Sequence, residues 1–223
     1  MNDIKTVKVW DIFVRIFHWS LVIAFTTAYL TAEEENVVHI YAGYTVLGLI
    51  IFRVLWGIIG SKYARFSDFV YSPSQVIQYL KGLKEKNPTH YLGHNPAGGW
   101  MIVVLLLSLF VVTLSGLKIY AIEEGRGPLA WISSDASVIQ DVRADEDDEH
   151  EGRKDDDDEH EGGKHEDDEH EAEEEFWEEI HEISTNFTLF LIVLHFMGVV
   201  VSSRLHGENL VKAMITGKKQ EKT

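Results

Sequence analysis

Four apolar stretches in the chain are long enough to cross a bilayer, separated by polar segments of contrasting charge. They run Phe13–Thr31, His39–Ile59, Trp100–Tyr120 and Phe187–Ser203, against the roughly 20 largely apolar residues that a spanning helix needs. The last is short by itself, but a helix extends it back through Trp177 and His181. Trp10, Trp19, Trp56, Trp100 and Trp177 stand near the expected ends, where an aromatic interfacial belt places them. The pattern predicts an all-α membrane protein, a bundle of four transmembrane helices. Outside the spans, Ser72–Leu83 opens with Ser72-Pro73 and predicts an amphipathic surface helix, since proline is favoured early in a helix. Gly93-His94-Asn95-Pro96, followed by Gly98-Gly99, predicts a turn that launches the third span.

Charge orients these helices. The segment between the second and third spans holds Lys62, Arg65, Lys81, Lys84 and Lys86, and the C-terminal tail holds Arg204, Lys212, Lys218, Lys219 and Lys222. Lys5, Lys8 and Arg15 mark the N-terminal side, whereas the link Ala32–Val38 has three glutamates and no base. Positive residues stay inside, so both termini and the middle loop are expected in the cytoplasm of a bacterium, with the protein in the cytoplasmic (inner) membrane.

The net charge of −16 belongs to one segment, because 24 of the 36 acidic residues lie between Asp141 and Glu182. The expected organisation is therefore residues 1–140 as three spans with a cytoplasmic loop, 141–175 as an acidic, histidine-containing periplasmic loop, and 176–223 as the fourth span with a basic tail. Within the loop Asp147–Glu151 recurs at Asp157–Glu161 and Asp167–Glu171 with a period of ten. Such charge density cannot bury apolar surface, so a solvated, disordered spacer is expected. Two further readings stand beside it. His150, His160, His165 and His170 can take up divalent metal weakly, and the acidic field can steer a cationic periplasmic partner.

The chain has no cysteine, which removes disulfides, thiolate metal sites and the covalent attachment of c-type haem. Histidine within the spans is then the informative residue, because imidazole in a bilayer needs a partner. His181 and His195 are fourteen residues apart on the fourth span, close to four turns and about 21 Å along one stripe. That span runs inward, so His181 lies near the outer face and His195 deeper. His39 opens the second span from outside, and His18 lies in the cytoplasmic half of the first. Depth pairs His39 with His181 and His18 with His195, one imidazole from each of two helices. This arrangement suits two haems b clamped within a helical bundle, with the four histidines as ligands of the haem irons. Bis-imidazole ligation leaves no open position at the metal, so it describes an electron path across the membrane.

Gly43 follows His39 by four residues and Gly198 follows His195 by three. Each lets a flat ring approach the backbone, or equally serves helix packing. Arg15 and Arg53 lie at the cytoplasmic ends of spans, where they can pair with haem propionates; snorkelling to headgroups is the other reading for Arg15. His90 and His94 read as turn or interface residues. His206 and Glu208 are candidates for handling protons at a quinone, chemistry that needs a donor or acceptor near the ring.

The residues Arg15-x-x-His18-Trp19, His39-x-x-x-Gly43, Arg53-x-x-Trp56-Gly57 and Gly93-His94-Asn95-Pro96-x-Gly98-Gly99-Trp100 form one pattern. It continues in His181-Glu182 through His195-x-x-Gly198 and in the tail His206-Gly207-Glu208-Asn209-Leu210. Together they resemble the bacterial cytochrome b561 family, which includes the b-type subunits of nickel–iron hydrogenases. The resemblance implies a four-helix, two-haem membrane protein passing electrons between quinone and a partner redox protein, with His18, His39, His181 and His195 as ligands. The expanded 141–175 loop departs from the family pattern. Expected partners are the lipid membrane, a quinone or quinol, and a periplasmic cytochrome or reductase or hydrogenase subunit; no nucleic acid is expected. Two alternatives accompany an electron carrier with quinone oxidoreductase activity at one end. One is the membrane anchor of a hydrogenase or other periplasmic reductase. The other is a divalent-metal transporter or sensor, against which the spans lack the carboxylates a cation path needs.

Overall fold

The computed structural model describes residues 6–32, 37–85, 89–130 and 162–220, and these are mostly helical. Among the described residues, four helices are long and apolar enough to cross a membrane: α1 (Ile12–Leu30), α2 (Val37–Ile59), α5 (Pro96–Glu124) and, over Glu171–His206, α6 (Gly162–His206). Between α2 and α5 lie α3 (Phe66–Phe69) and α4 (Pro73–Lys84), and α7 (Leu210–Thr216) follows α6. A short antiparallel ribbon pairs β1 (Thr6–Lys8) with β2 (Lys218–Gln220), Val7 opposite Lys219. The all-helical expectation did not contain this ribbon, since three-residue strands are too short to show an alternating pattern.

The helix boundaries have local causes. Asp11 caps α1, its Oδ1 accepting the Val14 N–H at 2.9 Å, as short acidic side chains do for the unpaired donors of a first turn. Pro73 opens α4 as expected, and the Ser72 N–H donates to Gln75 Oε1 at 3.1 Å, one arm of a capping box. At α5, Asn95 Oδ1 accepts the Gly98 N–H at 2.7 Å, so the turn at Gly93–Pro96 both ends the loop and starts the helix. The largest difference from expectation is at α6, which begins at Gly162 rather than near Trp177. Residues 162–175 of the acidic segment are thus helical. Glutamate and alanine are good helix formers. The repeat copies at 147–151 and 157–161 lie outside the described residues, as does the metal reading of the loop histidines.

The chain forms two compact units, Met1–Phe110 with Thr185–Thr223, and Val111–Ser184. In the first, Ala24 of α1 packs with Val46 and Ile50 of α2 and Leu109 of α5. Ser108 of α5 and Thr188 of α6, both buried, share a hydrogen bond of 2.5 Å; without water in a bilayer such hydroxyls must satisfy one another. Ile16, Ile23, Ile58, Ile59 and Phe196 are each more than half exposed, as side chains facing lipid are. Asp11 also joins α1 to the end of α2, accepting from Trp56 Nε1 at 3.1 Å and Ser61 Oγ at 2.5 Å. Burial raises its pKa, but the bonds from Ser61, Val14 and Trp56 outweigh this and hold the carboxyl below its usual range.

The same unit ties the two ends of the chain together. Val9, Trp10 and Ala213 form a small core joined by Tyr63 and Met214. The Gly217 carbonyl accepts from the N–H of Val9 and of Trp10 at 2.9 and 3.1 Å. Gly217 has a φ of +78° and lies so close to Trp10 that a Cβ would sit 2.6 Å from its carbonyl oxygen. Glycine is therefore required there twice over. In the second unit, the Lys118 ammonium meets the Glu173 carboxylate at 2.9 Å.

Candidate functional site around the membrane histidines

His39 and His181 share one arrangement, each built within its own unit. His39 Nδ1 donates to the Ala28 carbonyl at 2.9 Å. His181 Nδ1 lies 3.0 Å from the Val112 carbonyl and 3.0 Å from Ser115 Oγ. A carbonyl only accepts, so in both rings Nδ1 carries a proton. An imidazole oriented through Nδ1 by a backbone carbonyl is the usual form of a metal-ligating histidine. Gly116 makes the second case possible: a Cβ on it would lie 3.0 Å from His181 Cε1 and 3.3 Å from Nδ1. Sequence reasoning missed Ser115 and Gly116; their signal was a Ser-Gly pair of small residues inside an otherwise bulky span.

His18 of α1 and His195 of α6 both belong to the first unit and stand within electrostatic reach of each other. His18 Nδ1 is sealed from solvent with no hydrogen-bond partner. Gly43 and Gly198 face open space, since a Cβ on either would meet no atom within 4 Å. A flat group held by these histidines therefore has room against both helix backbones. Oriented or unsatisfied imidazoles are the donor type that a haem b takes, so the residues present are suited to hold one.

The two arginines differ. Arg15 Nη1 donates to the Ile215 carbonyl at 2.5 Å and its Nε to the Asp11 carbonyl at 3.4 Å, which latches the tail to α1. Arg53 is 2% exposed, and its Nη1 has no partner. Its guanidinium stacks over Phe66 at 5.1 Å and Phe69 at 5.6 Å from the ring centres. Gly57 admits Phe66 and Gly99 admits the Phe69 carbonyl, each with a would-be Cβ under 2.5 Å away.

The turn histidines also have defined places. The His94 ring packs between Trp10 at 4.4 Å and Phe69 at 4.7 Å. Burial, with Arg53, Lys219 and His195 nearby, pushes its pKa down to about 3, so it is neutral at physiological pH. His90 Nε2 bonds Glu208 Oε1 at 2.7 Å, and the other oxygen meets Lys219 Nζ at 3.3 Å. Lys219 Nζ also donates to the Tyr91 carbonyl at 3.1 Å. Burial raises the Glu208 pKa, but the bonds to His90 and Lys219 outweigh it and hold it low. The His206 ring lies 5.2 Å from that of His90, edge to face. A cleft of about 370 Å³ opens here, lined in part by Tyr63, Tyr71, His90, Tyr91 and His94, a volume in the range of small-molecule sites. In the second unit Glu123, Glu174 and Glu178 bring carboxylate oxygens within 4.8 Å of one another.

Comparison with known proteins identifies the family of the chain. The chain is 26% identical over 157 residues to a probable Ni/Fe-hydrogenase B-type cytochrome subunit of Rhizobium leguminosarum bv. viciae. The match covers 57% of this chain and 64% of that relative's length. No solved structure matches the chain. The family model for prokaryotic cytochrome b561 matches residues 9–217. With four apolar helices and nearly its whole length matched, the chain belongs to the prokaryotic cytochrome b561 family.

Proposed function

We propose that this membrane b-type cytochrome carries two haems b, ligated by His18, His39, His181 and His195, and passes electrons between the quinone pool and a periplasmic redox partner. The observation that carries the reading is the carbonyl-oriented Nδ1 of His39 and of His181, on two different helices. Each haem, when bound through two imidazoles, supplies a one-electron couple with no vacant axial position. The chain's part is to orient those imidazoles, to leave the glycine faces open and to keep water out of the spans. The cleft at Tyr71 and Tyr91 is our candidate for the quinone end. There His90 connects the cleft to Glu208 and His206, which exchange the protons that a quinone takes up or releases.

By the charge of its loops, the protein sits in the bacterial inner membrane with both termini cytoplasmic. On that orientation the acidic sequence of 141–175 gives the periplasmic side a negative charge that attracts a cationic partner. Association with a cationic partner should slow as salt is added, and rates indifferent to salt would remove that role. A narrower reading, favoured by the printed name of the Rhizobium relative, is that the chain anchors a hydrogenase or a similar reductase. Co-purification of a large metal-containing subunit tests it.

The visible spectrum of the purified protein tests the main reading. Two b-type haems per chain are expected in the wild type and one in His195→Ala. A protein with no Soret band refutes the cytochrome assignment, and two haems retained in His195→Ala refute the ligand set.

A further inference from the structure

Two polar side-chain atoms in the first unit are buried without hydrogen-bond partners, and both side chains stack on one aromatic ring. Arg53 Nη1, from α2, and His94 Nδ1, from the turn before α5, are both sealed from solvent and unbonded. The Arg53 guanidinium and the His94 imidazole each stack on Phe69, at 5.6 and 4.7 Å. Phe69 itself is 2% exposed and is fixed by the close approach of Gly99 to its carbonyl. Three separate elements, α2, α3 and the turn before α5, thus bring these groups together.

Carboxylates of the chain nearby are already engaged. Asp11, within electrostatic reach of Arg53, accepts from Val14, Trp56 and Ser61. Glu208 is bonded to His90 and Lys219. A buried guanidinium N–H with no acceptor carries a desolvation cost that an external carboxylate would remove, and His94 offers an N–H to the same group in its Nδ1-protonated tautomer. His94 stands within electrostatic reach of His195, and a haem b bears two propionate carboxylates.

We propose that Arg53 and His94 together receive a propionate of the haem held by His18 and His195, with Phe69 as the seat that aims both donors. The assignment rests on the ligand reading above and adds His94 as a positioning residue for that haem. It also gives a reason for the turn at Gly93–Pro96 to be built so tightly against α3.

The test uses the full-length protein with both haems, comparing wild type, His94→Gln and His94→Leu. The readouts are the propionate bending mode in resonance Raman and the midpoint potential of the haem that His195→Ala removes. Loss of a donor beside a propionate should shift the mode and move that potential to more negative values. Leu should shift both most, and Gln, which keeps a donor in a different position, should shift them less. Mode and potential unchanged in either variant, with two haems present, overturn the proposal. Should the Leu variant fail to assemble, the Gln variant alone decides by the same criterion. If His195→Ala keeps both haems, the ligand reading has failed and this assignment falls with it.

Discussion

Gly116→Ala isolates the support of one ligand from the stability of the fold. A methyl group at residue 116 lies 3.0 Å from His181 Cε1 and 3.3 Å from Nδ1, some tenths of an ångström inside ordinary contact. The ring must move, and the movement loosens two bonds of 3.0 Å, to Val112 and to Ser115. Overpacking of this kind costs about 1–3 kcal/mol, and loss of an orienting partner typically lowers metal affinity by roughly 10- to 100-fold. Helix propensity acts the other way, since alanine in place of a helical glycine stabilises by about 0.5–1 kcal/mol. The variant should therefore lose about 0–2.5 kcal/mol of fold stability and hold the haem proposed at His181 about 10- to 100-fold less tightly. Haem-to-protein ratio by pyridine haemochrome, read against chelation by apomyoglobin, measures this. Gly48→Ala is the matched control. Residue 48 is nine positions from His39, on the opposite face of α2, and its Cβ would meet nothing within 4 Å. If Gly116→Ala retains both haems with wild-type exchange rates, the packing of His181 against α5 does not support a ligand.

Other outcomes follow from the same contacts. Asp11→Ala should destabilise the protein by roughly 2–4 kcal/mol, combining a lost cap worth about 1 kcal/mol with an unpaired Trp56 N–H costing about 1–3 kcal/mol; denaturation in mild detergent reads this, and a change under 1 kcal/mol contradicts it. Gly99→Ala would set a Cβ 2.1 Å from the Phe69 carbonyl oxygen, forcing α3 from α5 at a cost of about 3 kcal/mol or more, visible as lost thermal stability. Glu208 has a lowered folded pKa, so its contribution is present above the ordinary carboxylate pKa and is lost as pH falls through the folded value. Proteolysis of residues 210–219 should therefore accelerate at acid pH in wild type, and Glu208→Gln, which leaves Lys219 buried without its counter-charge, should be accelerated already at pH 7.

The four spans and the family were legible in the sequence because hydropathy over some twenty residues is a local property, and the membrane histidines are few. The amphipathic helix at Pro73 and the turn into α5 were legible for a similar reason, being written in caps and prolines. The start of α6 was not, since charge density argues for disorder while glutamate's helix propensity argues the reverse, and neighbours along the helix settle the balance. The roles of His90 and His94 were also hidden, because the bonds that define them reach Glu208 and Phe69, far off in the chain.

What the sequence alone determined is the class of molecule: apolar lengths that demand a bilayer, an absence of cysteine that removes thiolate ligands and covalent haem attachment, and motif residues that name the family. What tertiary structure decided is how individual side chains are satisfied. Arg15 and Arg53 read alike as basic residues at span ends, yet one bonds the tail carbonyls and the other is sealed with a donor to spare. That difference depends on which backbone oxygens lie within 3.5 Å in space. Packing of distant segments sets those distances, and no local pattern of residues encodes them.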